Sequence, residues 1–367
     1  MQAKNHPVTR PFLPPLDDYK SQVDAIFASG WLTNDGSCVN NLEEQLQSKL
    51  ALPQVNLVSS GTIALHLAIR ALDLSGEILT TAFSYIATTS SIHWSGCRPV
   101  FVDIESHGYN IDLEDLERKI TPRTSAILAT HCFGVPCDVV GIQRIAEHHG
   151  LKVIYDGAHA FGTLVNGQSV FHWGDVSTCS FHATKLFHTV EGGMVVARSA
   201  AVAERVRRLR NFGHNGEEKF SEFGTNGKNS ELHAAMGLAI LPHLDDILDQ
   251  RRMQAETYQS ALSEAPLRLP PVNDPTWNCA YFPVIFEDEQ RCITVKAQLA
   301  EQGIHTRRYF HPSLNRIATD SPESCPRAES LSERILCLPM FHELTQKEAA
   351  TIGRLIASLS SSSSFAQ

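Results

Sequence analysis

Through the first two thirds of the chain, short apolar runs alternate with stretches whose apolar positions recur at helical spacing. Residues 55–58, 77–81, 99–103, 125–129, 152–155 and 193–197 read as strands, each four or five residues long and bounded by small or polar residues. Residues 43–52, 113–120, 139–149 and 200–209 carry helical patterns. Another helix follows the turn Ser59-Ser60-Gly61-Thr62, with Ala64, Leu65, Leu67, Ala68, Ala71 and Leu72 as its apolar positions. Strands that are apolar on successive residues are buried on both faces, so the alternation predicts an α/β fold with a mostly parallel sheet flanked by helices. In such a sheet ligands bind beyond the carboxyl ends of the strands. Asp156 and the turn at 59–62 both fall at such ends.

The two ends of the chain read differently. Residues 1–30 form an arm: Pro11, Pro14 and Pro15 keep its first half out of helix, and residues 17–27 then follow a helical pattern. From Glu231 a long helical stretch runs to about residue 262, interrupted near Pro242. Pro266, Pro270, Pro271 and Pro275 break the chain beyond it, and residues 279–286 open a new strand. Helical patterns at 294–301, 331–336 and 345–359 complete a smaller α/β unit. The expected organisation is a large domain over 1–245 with its arm, a small C-terminal domain over 246–359, and a serine-rich tail, 360–367, expected to be disordered. At 367 residues the chain is long enough for two such cores.

Composition narrows the class. With 43% hydrophobic and 19% charged residues the chain is an ordinary globular one, and its formal net charge of -9 offers no basic face to nucleic acid. Its nine cysteines include no Cys-x-x-Cys pair and read as reduced thiols of a cytoplasmic protein. No apolar segment resembling a signal peptide precedes Pro14-Pro15. The uncharged run 78–97 has the length to span a bilayer, but its eight Ser and Thr residues make it a buried loop and helix, and no membrane partner is expected.

The stretch with the most chemical content is Ser180-Phe181-His182-Ala183-Thr184-Lys185, set before a second apolar run that begins at Gly192-Gly193. A lysine between two buried runs is placed for a task, although most lysines simply face water. The turn at 59–62 leads a strand into a helix N-terminus, whose free N–H groups suit a phosphate; by itself it serves equally as an ordinary Ser/Thr cap. Asp156, taken alone, reads as a turn or capping residue. His159, taken alone, reads as a half-buried histidine.

Together and in order, Ser60-Gly61-Thr62, Asp156-Gly157-Ala158-His159, Ser180-Phe181-His182-Ala183-Thr184-Lys185 and Gly224-Thr225-Asn226 resemble the motifs of the DegT/DnrJ/EryC1/StrS family of sugar aminotransferases. The resemblance spans most of the first 240 residues and continues more weakly to the end. It implies a fold-type I enzyme that uses pyridoxal 5'-phosphate. It makes Lys185 the amine that links to the cofactor aldehyde and then moves protons, and Asp156 the carboxylate that keeps the pyridine nitrogen protonated. His159 matches a position near the ring hydroxyl, and Gly61, Thr62 and Ser180 match phosphate donors. Tyr85 aligns with an aromatic position that stacks on the ring, while a plain core role fits it equally well. Asn226 matches an asparagine that reaches the neighbouring subunit's phosphate, which implies a homodimer with shared sites. The implied substrates are a nucleotide-linked keto-deoxysugar and an amino-acid donor, expected to be L-glutamate. The segment from Phe181 to Phe187 and Asn226-Gly227-Lys228 look most like enzymes that aminate C4 of dTDP-4-keto-6-deoxy-D-glucose.

The chain also departs from the usual pattern. Lys228 stands where an arginine is common, so an anion there meets a point charge instead of a planar fork. Arg307-Arg308-Tyr309-Phe310-His311-Pro312 is similar to a segment near the nucleotide-sugar site without matching it, which leaves Arg307 and Tyr309 as substrate contacts or as surface residues. Other readings stay open at this level. A 3-keto sugar aminotransferase shares these motifs. A sugar dehydratase of the same fold has histidine in place of the lysine, so Lys185 counts against it, and a ligand-sensing regulator needs a DNA-binding module that no basic segment here provides. The 17 histidines form no His-Glu-x-x-His pair, no Gly-x-Ser-x-Gly is present, and no metal is expected.

Overall fold

The computed structural model describes residues 5–317 and 323–361. Its centre is a seven-stranded sheet in the order β1 (Asn56–Val58), β9 (Gly193–Ala197), β8 (Val176–Ser180), β5 (Lys152–Asp156), β4 (Thr124–Thr130), β2 (Glu77–Thr81) and β3 (Arg98–Val102). A small ribbon, β6 (Leu164–Val165) with β7 (Gln168–Ser169), lies between β5 and β8 in the chain. Within the large sheet β9 pairs antiparallel with β1 and β8, and the other pairs are parallel. The fold is therefore the mostly parallel α/β arrangement that the alternation of runs predicts.

Successive strand residues reach opposite faces, and both faces are covered. On one, Ile78, Ala126, Leu128, Ile154 and Val195 join a cluster with α3 (Gly61–Ala71) and α7 (Ala200–Leu209). On the other, Leu79, Ile127, Ala129 and Val153 pack with α5 (Leu113–Arg118) and α6 (Val139–His149). Met194 and Val196 continue that second face against α2 (Ser37–Leu50) and α8 (Glu231–Ile240), beside which α1 (Leu16–Ser29) also packs. The uncharged run 78–97 supplies most of β2, a loop and α4 (Ile86–Trp94). Among the described residues no helix is long and apolar enough to cross a membrane. All nine cysteines are free and buried.

After α8, a short 3-10 turn containing Pro242 leads into α9 (Leu244–Leu262). Tyr258 and Leu262 of α9 share a second apolar cluster with β10 (Phe282–Ile285), α10 (Glu289–Glu301), β11 (Ile335–Leu338) and α12 (Gln346–Ser361). Two expectations fail here. Residues 331–336 are not one helix: α11 (Pro326–Arg334) stops, and Ile335 begins a strand paired antiparallel with β10. The run Ile335-Leu336-Cys337-Leu338 is too short for its apolar period to tell helix from strand, and the pairing with β10 decides it. The expected disorder from residue 360 does not begin there, because Ser360 and Ser361 close α12 and Ser360 is buried. Residues 362–367 lie outside the described residues.

His131, directly after β4, is a buried group with a cost. Its ring stacks on Tyr155 with centroids 4.7 Å apart, its Nδ1 accepts the Cys137 N–H at 3.0 Å, and its Nε2 has no partner among the described residues. Burial pushes its pKa down to about 3. The unfolded chain binds this proton near pH 6.5 and the folded one does not, so stability is fully present above about 6.5 and falls as pH drops toward 3. His131 is expected to account for about 2 kcal/mol of lost stability between pH near 7 and pH near 5. Urea denaturation at the two pH values should show a smaller loss for His131→Gln than for the parent protein.

Candidate active site

The carboxyl ends of β5, β4, β8 and β1 and the segment after β2 converge on one cavity of about 300 Å³. Thr130, Asp156 and Thr178 sit side by side in register across β4, β5 and β8, and Ser180 ends β8 opposite Gly193. The cavity is lined by Gly61, Thr62, Tyr85, Asp156, His159, Ser180 and Lys185, together with Arg307 and Tyr309 from the C-terminal part of the chain. Nine of the predicted site residues are thereby brought together.

One wall is the first turn of α3. Ser60 is its N-cap, and its hydroxyl accepts the Ile63 N–H at 3.2 Å. The backbone N–H groups of Gly61 and Thr62 find no partner among the described residues and remain free for a ligand. This turn lies so close to the end of β8 that a Cβ on Gly61 would fall 2.7 Å from Ser180 Cβ. A Cβ on Gly193 would fall 2.9 Å from the Gly61 nitrogen and 2.6 Å from the Cys179 carbonyl. Two glycines therefore let helix N-terminus and serine hydroxyl share one small volume, which suits an anion.

The other wall carries the titratable groups. Asp156 is buried; its Oδ1 accepts the Ala158 N–H at 3.0 Å and its Oδ2 the Thr88 hydroxyl at 2.8 Å. Burial raises the Asp156 pKa, while Thr88, Ala158 and Lys185 each work against that rise. Lys185 lies between β8 and β9 and donates from Nζ to the Tyr281 hydroxyl at 3.4 Å. Burial lowers its pKa, with Asp156 opposing. His159 accepts the Phe133 N–H on Nδ1 at 3.2 Å, which leaves its proton on Nε2. Its ring stacks parallel to Phe133 and Phe310, and burial, then Lys185, hold it well below its ordinary pKa and neutral.

Tyr85, the residue before α4, is 57% exposed and not a core residue. Arg307 lies over the Tyr309 ring, 5.0 Å from its centroid, so the two act as one cavity wall and not as scattered surface residues. Asn226 and Lys228 are different: neither lines the cavity of its own chain. Lys228 Nζ bonds to Asn211 Oδ1 and Asn226 Oδ1, each at 3.0 Å, and sits 4.7 Å from the Phe212 ring centroid. Within one chain these contacts tie down the ammonium that was expected at substrate. Tyr281 lines the cavity without any sequence signal, and Phe310 lines it from within the segment 307–312, in which only Arg307 and Tyr309 stand out as candidates. Glu191 and His182 also line it, within 3.6 Å of each other, and both lie in or beside the matched lysine segment.

The fold is shared with solved aminotransferases. The DegT/DnrJ/EryC1/StrS aminotransferase family matches residues 17–357, and the chain belongs to it. It is 37% identical to a dTDP-4-amino-4,6-dideoxy-D-glucose transaminase of Escherichia coli over 97% of this chain and 99% of that one. A protein of the same name from Shigella dysenteriae is 39% identical over 92% of this chain and 94% of its own. The crystal structure of DesI in the presence of its TDP-sugar product superposes with a TM-score of 0.92 at 30% identity, covering 97% of this chain and 93% of that one.

Pyridoxal phosphate fits these residues. Its phosphate matches the cradle that a Cβ on Gly61 would fill, its ring nitrogen calls for a buried carboxylate such as Asp156, and its aldehyde calls for an amine such as Lys185. Gly61→Ala should force the turn away from Ser180 and weaken cofactor binding roughly tenfold or more, about 1.4 kcal/mol. Fluorescence titration of the apoprotein with pyridoxal phosphate measures this, and unchanged affinity would remove the turn from the phosphate site.

Proposed function

We propose that this protein transfers an amino group from L-glutamate to C4 of dTDP-4-keto-6-deoxy-D-glucose with pyridoxal phosphate as cofactor. The observation that carries the reading is the facing of a buried carboxylate, Asp156, and a lysine of lowered pKa, Lys185, in one cavity beside an anion-binding helix N-terminus. The sugar nucleotide follows from the names of the similar enzymes. When bound, the cofactor supplies an electrophilic carbon and a ring that accepts electron density from the reacting carbon.

The chain's own groups do the rest. With the cofactor bound, Asp156 would hold the proton on the ring nitrogen, and His159, with its proton on Nε2, would donate to the ring hydroxyl oxygen. Gly61, Thr62 and Ser180 would hold the phosphate, and Tyr85 would cover the ring face. Lys185 Nζ would take up and release the proton at the reacting carbon; the lowered pKa raises the neutral fraction available as a base. Arg307 and Tyr309 contact the nucleotide sugar from the small domain. In this reading that domain comprises residues 246–359, after a large domain over 1–245. Borohydride reduction of the holoenzyme followed by peptide mapping should place the cofactor on Lys185. Mass spectrometry of the reaction with the keto-sugar nucleotide and glutamate should show the amino sugar; a label elsewhere, or no product, rejects the reading.

The protein acts as a cytoplasmic homodimer in which each site borrows Asn226, with Lys228 beside it, from the partner subunit. Support comes from their position: Asn226 is exposed and lies outside its own cavity, on a loop whose Phe220 and Phe223 are 65% and 97% exposed. Mixing Lys185→Ala with Asn226→Ala subunits should regenerate activity, because a mixed dimer then holds one site with both residues intact. A mixture no more active than its parents, with subunit exchange confirmed and Asn226→Ala itself defective, would show that Asn226 acts within its own chain.

A further inference from the structure

Asp156 is buried where its charge is costly, and a line of hydroxyls outside the recognisable motifs leads up to it. Thr88 Oγ1 donates to Asp156 Oδ2 at 2.8 Å. Ser84 Oγ lies 2.9 Å from Thr88 Oγ1 and 3.1 Å from Thr130 Oγ1. All three side chains are buried. Ser84 and Thr88 bracket the start of α4, and Thr130 ends β4 beside Asp156 in the sheet register.

A hydroxyl has one proton to give, so the direction of donation along the line is coupled to the charge at its end. An ionised Asp156 only accepts. Thr88 therefore donates to it, Ser84 donates to Thr88, and Thr130 donates to Ser84. A run of hydrogen bonds aligned in one direction polarises its members and strengthens the last bond. A proton on Oδ2 that pointed at Thr88 would reverse the whole line. With Ala158 fixing Oδ1, the carboxylate is also locked in orientation.

We propose that Thr88 is a positioning residue of this active site and that Ser84 and Thr130 act through it, holding Asp156 ionised and aimed at the ring nitrogen. The proposal rests on the role given to Asp156 above. The other titratable groups around the carboxylate are Lys185 after β8, the thiols of Cys179 on β8 and Cys132 after β4, and the His159 imidazole, which shares the cavity after β5. Burial raises both thiols and keeps them neutral, so Lys185 is the charged neighbour in this set.

The test compares holoenzymes carrying Thr88→Val, Thr88→Ser, Ser84→Ala and Asp156→Asn. The readouts are kcat with KM, and the pH midpoint of the visible absorbance of the bound cofactor. Thr88→Val should lower kcat roughly 10- to 100-fold with little change in KM. It should also move the absorbance midpoint to higher pH, because a ring nitrogen carrying less positive charge leaves the chromophore easier to protonate. Thr88→Ser should restore both within about threefold, and Ser84→Ala should reproduce the Val effects more weakly. The proposal is overturned by wild-type kcat and midpoint in Thr88→Val while Asp156→Asn is inactive, which leaves the role of Asp156 standing. It is equally overturned by a kcat loss without a midpoint shift, the result of a mere packing defect. Near wild-type turnover in Asp156→Asn would bring down both the role of Asp156 and this proposal. If Thr88→Val does not fold, Ser84→Ala decides by the same two readouts.

Discussion

The end of β8 touches the first turn of α3 because Gly61 and Gly193 have no side chains to keep them apart. Much of the site follows from that contact. It puts the Ser180 hydroxyl beside the N-terminal amides of α3, while the parallel pairing of β8 with β5 sets the loop that carries Lys185 beside Asp156. A side chain at either glycine would separate two elements whose polar groups must act on one ligand. The glycines are thus a packing requirement of the sheet before they are a feature of any binding motif.

The charges follow a similar logic. A carboxylate and an ammonium placed separately in an apolar cavity would each tend to lose charge. Here burial moves Asp156 upward and Lys185 downward, and each group opposes the other's shift. His159 is kept neutral by the same burial and by the nearby lysine, which makes it a hydrogen-bond donor of fixed tautomer. Asp156, Lys185 and His159 therefore take distinct protonation roles in one cavity, and no metal ligand cluster is found among the described residues.

Most of the sheet was legible in the sequence because strands buried on both faces must be apolar on consecutive positions. Asp156, Ser180 and Lys185 could be grouped from the sequence only because their motifs, taken in order, resemble those of the family; the cavity that gathers them is a product of the fold. What could not be read is what tertiary packing imports. Tyr281 reaches Lys185 from 96 residues further along the chain, and Thr88 looks in sequence like one more hydroxyl in a Ser/Thr-rich run. Ile335 and Leu336 extend the helical pattern of 331–336 in sequence, yet they belong to a four-residue apolar run that acquires its identity only from the strand it pairs with. Asn226 and Lys228 were legible as a motif, but one chain alone leaves them outside its cavity.

The reversed strand β9 has a consequence for the lysine. Since β8 and β9 pair with each other, residues 181–192 form a closed connection, pinned at its base by the Phe181 N–H to the Gly192 carbonyl at 2.8 Å. Phe187 fastens the connection from inside by stacking on Phe161, 4.6 Å between centroids. Lys185 is thus a flexible tether on a clamped hoop: Nζ can travel only as far as its own four carbons allow, while the backbone stays in place. The length of that hoop becomes a fixed dimension of the molecule. A single inserted or deleted residue between Phe181 and Gly192 would misalign either the strand register or the amine, even if every side chain in the cavity were kept.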